Sequence, residues 1–220
     1  MLKVIALDIE TKNLDMETEG LEFSNPKGWK TSCVSIYDCT GGGYFYNYAD
    51  LEELPYEIIE DYGVLPFEAL KNDMNQWYEE GYLLLTKNGN NFDLPIISKP
   101  ISEGGCGVAA EVEKFNEGDG ITSSHLDLQT YLEEATNGVR FSLQTLIKSV
   151  LGEQESKLME AKFAPDEWAA GNYGEVLRYC EEDARYTYKV WEIARMTGSI
   201  QASGKTPEGN YENCYVRIRW

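Results

Sequence analysis

Apolar positions crowd residues 2–9 (LKVIALDI) in the short, β-prone run expected of a buried strand. Residues 31–38 (TSCVSIYD) and 43–48 (GYFYNY) read as two more strands, joined as a hairpin through the turn residues Cys39 to Gly42. Over 67–80, Phe67, Leu70, Met74, Trp77 and Tyr78 recur at helical spacing, and Gly81 follows as a C-cap. The run YLLLT, 82–86, suits a central strand, and NNFDLPIIS then enters a helix that tolerates Pro95 in its first turn. Residues 99–121 are glycine-rich and acidic with little periodicity, which predicts an insertion or surface loop. Helices are expected over 125–135 and 141–151, followed by a connecting segment from Gly152 to Gly171. The strongest helical signal covers 172–196, where Val176, Leu177, Cys180, Ala184, Tyr188, Trp191 and Ala194 or Arg195 trace a mostly apolar stripe. A polar, glycine-bearing tail over 198–210 leads to NCYVRIRW, which alternates like one last strand. This order predicts an α/β domain, a mixed β-sheet flanked by α-helices.

Composition narrows the class. A chain of 220 residues that is 42% apolar can bury a substantial core as one domain. No stretch nears the roughly 20 apolar residues that span a bilayer, and the opening run reaches Asp8 too soon for a signal peptide. Five scattered cysteines without a CxxC pair point to reduced thiols and a cytoplasmic, intracellular setting, and the lone His125 cannot build a zinc site. The formal charge of −19 fits either a solvated acidic surface or acids gathered around cations.

Four acids stand in apolar settings. Asp8 and Glu10 lie at i and i+2 of the first strand, hence on one side of the sheet, where like charges repel. Asp93 directly follows the central strand, and Asp183 sits on the long helix with Tyr179 four residues earlier on the same face. Each has a bland reading as well: edge-strand acids for the first pair, a helix N-cap for Asp93, a solvated acidic face for Asp183 beside Glu181 and Glu182. Together, four carboxylates and a phenol form a hard-oxygen set suited to Mg²⁺ or Mn²⁺. Two such ions about 3.5–4 Å apart can stabilise both the attacking and the leaving oxygen of a phosphoryl displacement.

In order along the chain, these motifs are DxE (Asp8, Glu10), N-x3-F-D (Asn88, Phe92, Asp93) and Y-x3-D (Tyr179, Asp183). The set resembles the tyrosine branch of the DEDD 3′–5′ exonucleases, whose fold is ribonuclease H-like. The stretch NGNNFDLP is similar to the proofreading domain of family-B DNA polymerases and to related stand-alone exonucleases. Arg178 stands five residues before Asp183, where the histidine branch would carry His. The resemblance covers residues 1–196 and leaves 197–220 as a tail with a final strand.

Carried across, the resemblance implies that Asp8 bridges two Mg²⁺ or Mn²⁺ ions, Glu10 and Asp183 complete the first, and Asp93 holds the second partly through water. Tyr179 would orient the attacking water, Thr11 and Phe92 would lie near the terminal nucleotide, and Asn88 near the phosphodiester or its supporting network. The implied substrate is the 3′ end of a single-stranded nucleic acid, DNA rather than RNA, with nucleoside monophosphates as products. A separate polymerase or other replication protein is the implied partner, with no membrane. The acidic total favours short-range, end-directed binding over broad affinity for a long backbone. Arg217, Arg219 and Trp220 could contact a strand, or form an exposed edge or docking tail. The rival readings are a catalytically silent scaffold, an acidic nucleic-acid mimic that binds a partner, and an endonuclease on the same fold.

Overall fold

A computed structural model describes residues 2–13, 20–22, 25–117, 124–152, 154 and 157–219. In chain order its elements are β1 (Val4–Thr11), β2 (Thr31–Asp38), β3 (Tyr44–Ala49), α1 (Tyr56–Tyr62), β4 (Leu65–Pro66), α2 (Phe67–Glu79) and β5 (Leu83–Thr86). They continue with α3 (Asp93–Ser98), α4 (Ala109–Asn116), β6 (His125–Asp127), α5 (Leu128–Ala135), α6 (Leu143–Val150), α7 (Ala164–Ala169), α8 (Tyr173–Thr197), β7 (Ser199–Lys205) and β8 (Tyr211–Arg217). Six strands form a mixed sheet in the order β4-β3-β2-β1-β5-β6. β1, β2 and β3 pair antiparallel, whereas β5 runs parallel to β1 and β6 parallel to β5. No helix among the described residues is long and apolar enough to cross a membrane.

Strand alternation on β1 sorts the core. Ile5, Leu7 and Ile9 face the layer built on α2, α3 and α4, while Val4 and Ala6 face the layer of α5, α6 and the second half of α8. Asp8 and Glu10 continue the Val4–Ala6 row, so the face covered by α8 turns from apolar to acidic halfway along the strand. α8 packs along both β1 and β2 on that face. Its buried stripe contains Val176, Leu177, Cys180, Ala184, Trp191 and Ala194 as the spacing predicts. Thr187 and Val190 are buried as well, while Tyr188 is half-buried against the Tyr37 ring at 5.3 Å.

Several expectations are corrected. The segment 99–121 is not a loop throughout: it holds α4, whose Val112 and Phe115 are buried, with Phe115 edge-on to Tyr78 at 5.5 Å. Eight residues make barely two turns, too few for periodicity to stand out beside the glycines that shape the entry turn. A Cβ at Gly105 would fall 2.1 Å from the Lys99 carbonyl oxygen, so that turn requires glycine. Residues 118–121 of the segment, and Trp220, lie outside the described residues.

The expected helix over 125–135 begins as a strand, because His125 to Asp127 pair with Leu84 to Thr86 before α5 starts. Residues 164–169 of the connecting segment are helical. The tail carries two strands instead of one: β7 pairs antiparallel with β8 and seats Ile200, Ala202 and Val216 against Val139 and Phe141. α1 and β4 carried no signal strong enough to be read from sequence.

His125 joins β6 to its surroundings as a neutral ring. Thr86 Oγ1 lies 2.8 Å from its Nε2, and Asn116 Oδ1 lies 2.7 Å from its Nδ1. Burial pushes its pKa down to about 4, below the usual value near 6.5. The folded state therefore resists a proton that the unfolded chain accepts, and stability from this residue is lost as pH falls from about 6.5 toward 4. Urea unfolding across that window should show His125→Gln with a flatter loss than wild type. The difference between the two curves should reach a few kcal/mol at most. Parallel curves would mean that the ring charges as easily in the fold as in water.

Candidate metal centre

All eight residues singled out from sequence line one cavity of about 440 Å³: Asp8, Glu10, Thr11, Asn88, Phe92, Asp93, Tyr179 and Asp183. Asp8, Glu10 and Asp183 form its tightest group, able to bring one carboxylate oxygen each within 4.8 Å of one another. Asp93 faces the same cavity from the first turn of α3, outside that group of three.

Local geometry delivers each side chain. β1 presents Asp8 and Glu10 on one face, and the register shifts between Glu10 and Thr11 as the strand ends. The Thr11 hydroxyl donates to the Asn13 carbonyl at 2.9 Å. The thiol of Cys180 on α8 donates to the Asp8 carbonyl at 3.3 Å, locking the helix to the strand beside the acids. The run Glu181-Glu182-Asp183 divides among three partners, because successive helical residues point in different directions. Glu181 accepts from Asn47 on β3 at 2.7 Å, Glu182 pairs with Arg185, and Asp183 turns into the cavity.

Asp93 depends on the tight turn after β5. Asn88 holds a left-handed conformation at φ 70°, and a Cβ on Gly89 would fall 2.4 Å from the Thr86 hydroxyl oxygen. The backbone N–H groups of Asn88 and Asn90 donate to the two Asp127 carboxylate oxygens at 2.9 and 2.7 Å. Asp127 also caps α5 by accepting from the Gln129 N–H at 2.8 Å. It is a clamp on the turn, which is why it stays off the cavity wall. Phe92 rests edge-on against Trp29 with ring centroids 5.0 Å apart.

The electrostatics reflect crowded negative charge. Burial, then the neighbouring Asp183 and Asp93, raise the Asp8 carboxyl well above the usual carboxylate range. Glu10 is raised in the same way by burial, Asp8 and Asp183. Burial lifts Asp93 to about 7, although its own N–H and that of Ile9 favour its charged form. Asp183 is raised by burial and partly relieved by Lys157 and Tyr179. Burial followed by Glu10, Asp183 and Asp8 drives the Tyr179 phenol upward, so it stays protonated.

Lys157 is the residue that sequence reasoning missed. Its ammonium pairs with Asp183 Oδ2 and lies 4.8 Å from the centre of the Tyr179 ring. Burial disfavours its charge, but Asp183, Asp8 and Glu10 outweigh burial and raise its pKa. It comes from the stretch KLMEAKF, which has no motif and no period to mark it. One lysine does not balance the acids. Among the described residues, Asp183 Oδ1 and the Tyr179 hydroxyl remain buried without a hydrogen bond of good geometry, although the phenol is near enough to favour the Asp183 charge. Such an oxygen-rich, under-neutralised cluster fits a hard divalent cation.

No protein-family model matches the chain. It is 25% identical to a DNA polymerase of Methanocaldococcus jannaschii over 199 residues, covering 86% of this chain and 11% of that protein. It is likewise 25% identical to a DNA polymerase of Thermococcus litoralis, over 98% of this chain and 13% of the relative. The structure of the family B DNA polymerase from Pyrobaculum calidifontis superposes on 89% of the chain with a TM-score of 0.54 at 14% identity, using 25% of that polymerase. The chain is thus similar in sequence to these archaeal DNA polymerases and similar in fold to the family B structure. It spans about a tenth of the length of these curated polymerase relatives. Its sheet and flanking helices have the ribonuclease H-like fold, shared with that polymerase structure.

Because like charges crowd Asp8, removing one should relax the domain. In chelator, Asp8→Asn should raise the unfolding free energy by about 1 kcal/mol or more, visible as a higher thermal midpoint. A lower midpoint would show that Asp8 is structurally compensated in the absence of any ion.

Proposed function

We propose that this chain is a divalent-metal-dependent 3′–5′ exonuclease that trims single-stranded DNA and releases nucleoside monophosphates, working alone or as the editing partner of a separate polymerase. The observation that carries the reading is the convergence of Asp8, Glu10, Asp93, Asp183 and Tyr179, from three distant parts of the chain, on one cavity. Asp8, Glu10 and Asp183 would hold one Mg²⁺ or Mn²⁺, and Asp8 with Asp93 a second. Bound there, the ions supply an activated water and charge stabilisation at the leaving 3′ oxygen.

The chain's own groups do the positioning. Tyr179, kept protonated by burial and its acidic neighbours, can orient a water through its hydroxyl but cannot act as the base. Lys157 steadies Asp183 and offsets part of the charge on the reacting phosphate. Phe92, braced by Trp29, offers a ring face or edge for the terminal base. Thr11 and Asn88 line the walls where sugar and phosphate oxygens need polar partners.

The test uses single strands labelled at the 5′ or 3′ end, with Mg²⁺, Mn²⁺ or chelator. The 5′-labelled strand should shorten stepwise and the 3′ label should leave at once as a mononucleotide. Chelator or Asp8→Ala should abolish both, and Tyr179→Phe should slow trimming about 100- to 1000-fold. Identical products from wild type and Asp8→Ala would sink the proposal, and a fully inert wild type would leave a silent scaffold. Internal cuts would make the protein an endonuclease.

A further inference from the structure

The carboxylate cavity does not end at the acids. Lys87, Asn88 and Ser142 also line a second cavity of about 320 Å³, which therefore adjoins the first. Its far wall is the β7–β8 hairpin, through Lys205 and Tyr211, and Arg140 stands between. Among the described residues no Asp or Glu lines this second cavity, in a chain where 38 of 220 residues are acidic. Lys87, Lys157, Lys162, Arg140 and Lys205 all line one or other of the two cavities. Cations are thus gathered along one path across a strongly acidic molecule.

The hairpin is held in place there. The N–H of Arg140 donates to the Lys205 carbonyl at 2.9 Å, and the N–H of Lys205 donates back to the Arg140 carbonyl at 2.8 Å. Gly204 permits this approach, since a Cβ would lie 2.5 Å from Val139 Cγ1 and 2.9 Å from the Arg140 carbonyl oxygen. The two charged side chains are consequently presented together. The Arg140 side chain is 62% exposed and meets Glu133 at 3.0 Å, a surface pair that contributes little and leaves further guanidinium donors available. Lys205 is exposed and has no ion-pair partner among the described residues. Tyr211, 79% exposed, lines the cavity with its ring stacked on no other aromatic ring among the described residues.

We propose that this second cavity binds single-stranded DNA upstream of the 3′ terminus, with Arg140 and Lys205 contacting backbone phosphates and Tyr211 stacking on a base. The assignment of upstream nucleotides rests on the exonuclease reading of the carboxylate cavity; the binding itself does not. Long-range attraction is absent at a net charge of −19, but screening over about 8–10 Å lets the local cations act within the groove. The groove therefore adds affinity over a short run of nucleotides and no further. A protein partner docking on the hairpin is the competing occupant.

Fluorescence anisotropy in chelator, where no trimming occurs, tests the groove with labelled oligothymidylates of about 2 to 16 nucleotides, spanning the site sizes of known single-strand binders. Wild-type affinity should rise about tenfold over the shorter lengths and then level off. An Arg140→Ala/Lys205→Ala double variant should lose that rise, with a log–log salt slope shallower by about 1.4 for two phosphates. Tyr211→Ala should weaken the longer strands about tenfold. Circular dichroism should give all variants the wild-type spectrum, since these side chains are largely in solvent.

A double variant that keeps the full rise, or a wild type whose affinity ignores length, overturns the groove and favours a protein partner. If that happens while wild type still trims 3′ ends, the exonuclease reading stands without it. If wild type trims nothing but the rise depends on Arg140 and Lys205, the groove stands and the exonuclease reading falls.

Discussion

Repulsion between carboxylates on the inner face of the central strand is the constraint that the surrounding structure answers. β1 runs Val4, Ala6, Asp8, Glu10 along one side, so the row that starts by filling the core ends by charging it. α8 must cover the whole row, since the second half of its apolar stripe packs with Val4 and Ala6 and its Asp183 stands beside Asp8. The cover is fastened by the Cys180 thiol on the Asp8 carbonyl and by Glu181 on Asn47. Lys157 supplies the nearest positive charge, and it is too little. The fold thus holds acids in a state that burial and mutual repulsion both oppose, which is the arrangement expected where stability is exchanged for chemistry.

The other wall of the site is backbone, held by a residue that touches none of the acids' cavity. Asp127 accepts from the turn after β5 and from the first turn of α5, coupling the third parallel strand to the loop that aims Asp93. A strand of three residues at the sheet edge would contribute little by itself. Its worth lies in where it ends. The same turn puts Asn88 within 3.2 Å of the Arg140 guanidinium, so the carboxylate cavity and the cation-lined cavity share a wall. The overall charge of −19 conceals this polarity, because a sum says nothing about where charges stand.

Much of this was legible in the sequence, for reasons specific to each element. β2 was bounded exactly and β1, β3, α2, β5 and α8 to within a few residues, because each carries enough apolar positions for its period to show. Within the first and last motifs the spacing is local, i and i+2 on a strand and i and i+4 on a helix, which sets each pair on one face; the fold then brings all eight proposed site residues to one cavity. α4, β6 and β7 were hidden. The first two are short, and β7 (SIQASGK) is small and polar along its exposed side.

Lys157, Asp127 and Arg140 mark the boundary of sequence reading. Each acts on residues far along the chain, Lys157 on Asp183, Asp127 on Asn88 and Asn90, Arg140 beside Lys205. A lone charged residue leaves no periodic trace, so nothing local distinguishes these from solvated neighbours. The sequence by itself determined which elements form and which acids stand in apolar company, because both are matters of neighbours a few residues apart. Only the tertiary structure decided which charges meet, because pairing depends on the closure of the sheet, the path of α8 across it and the return of the hairpin to residues 139–141.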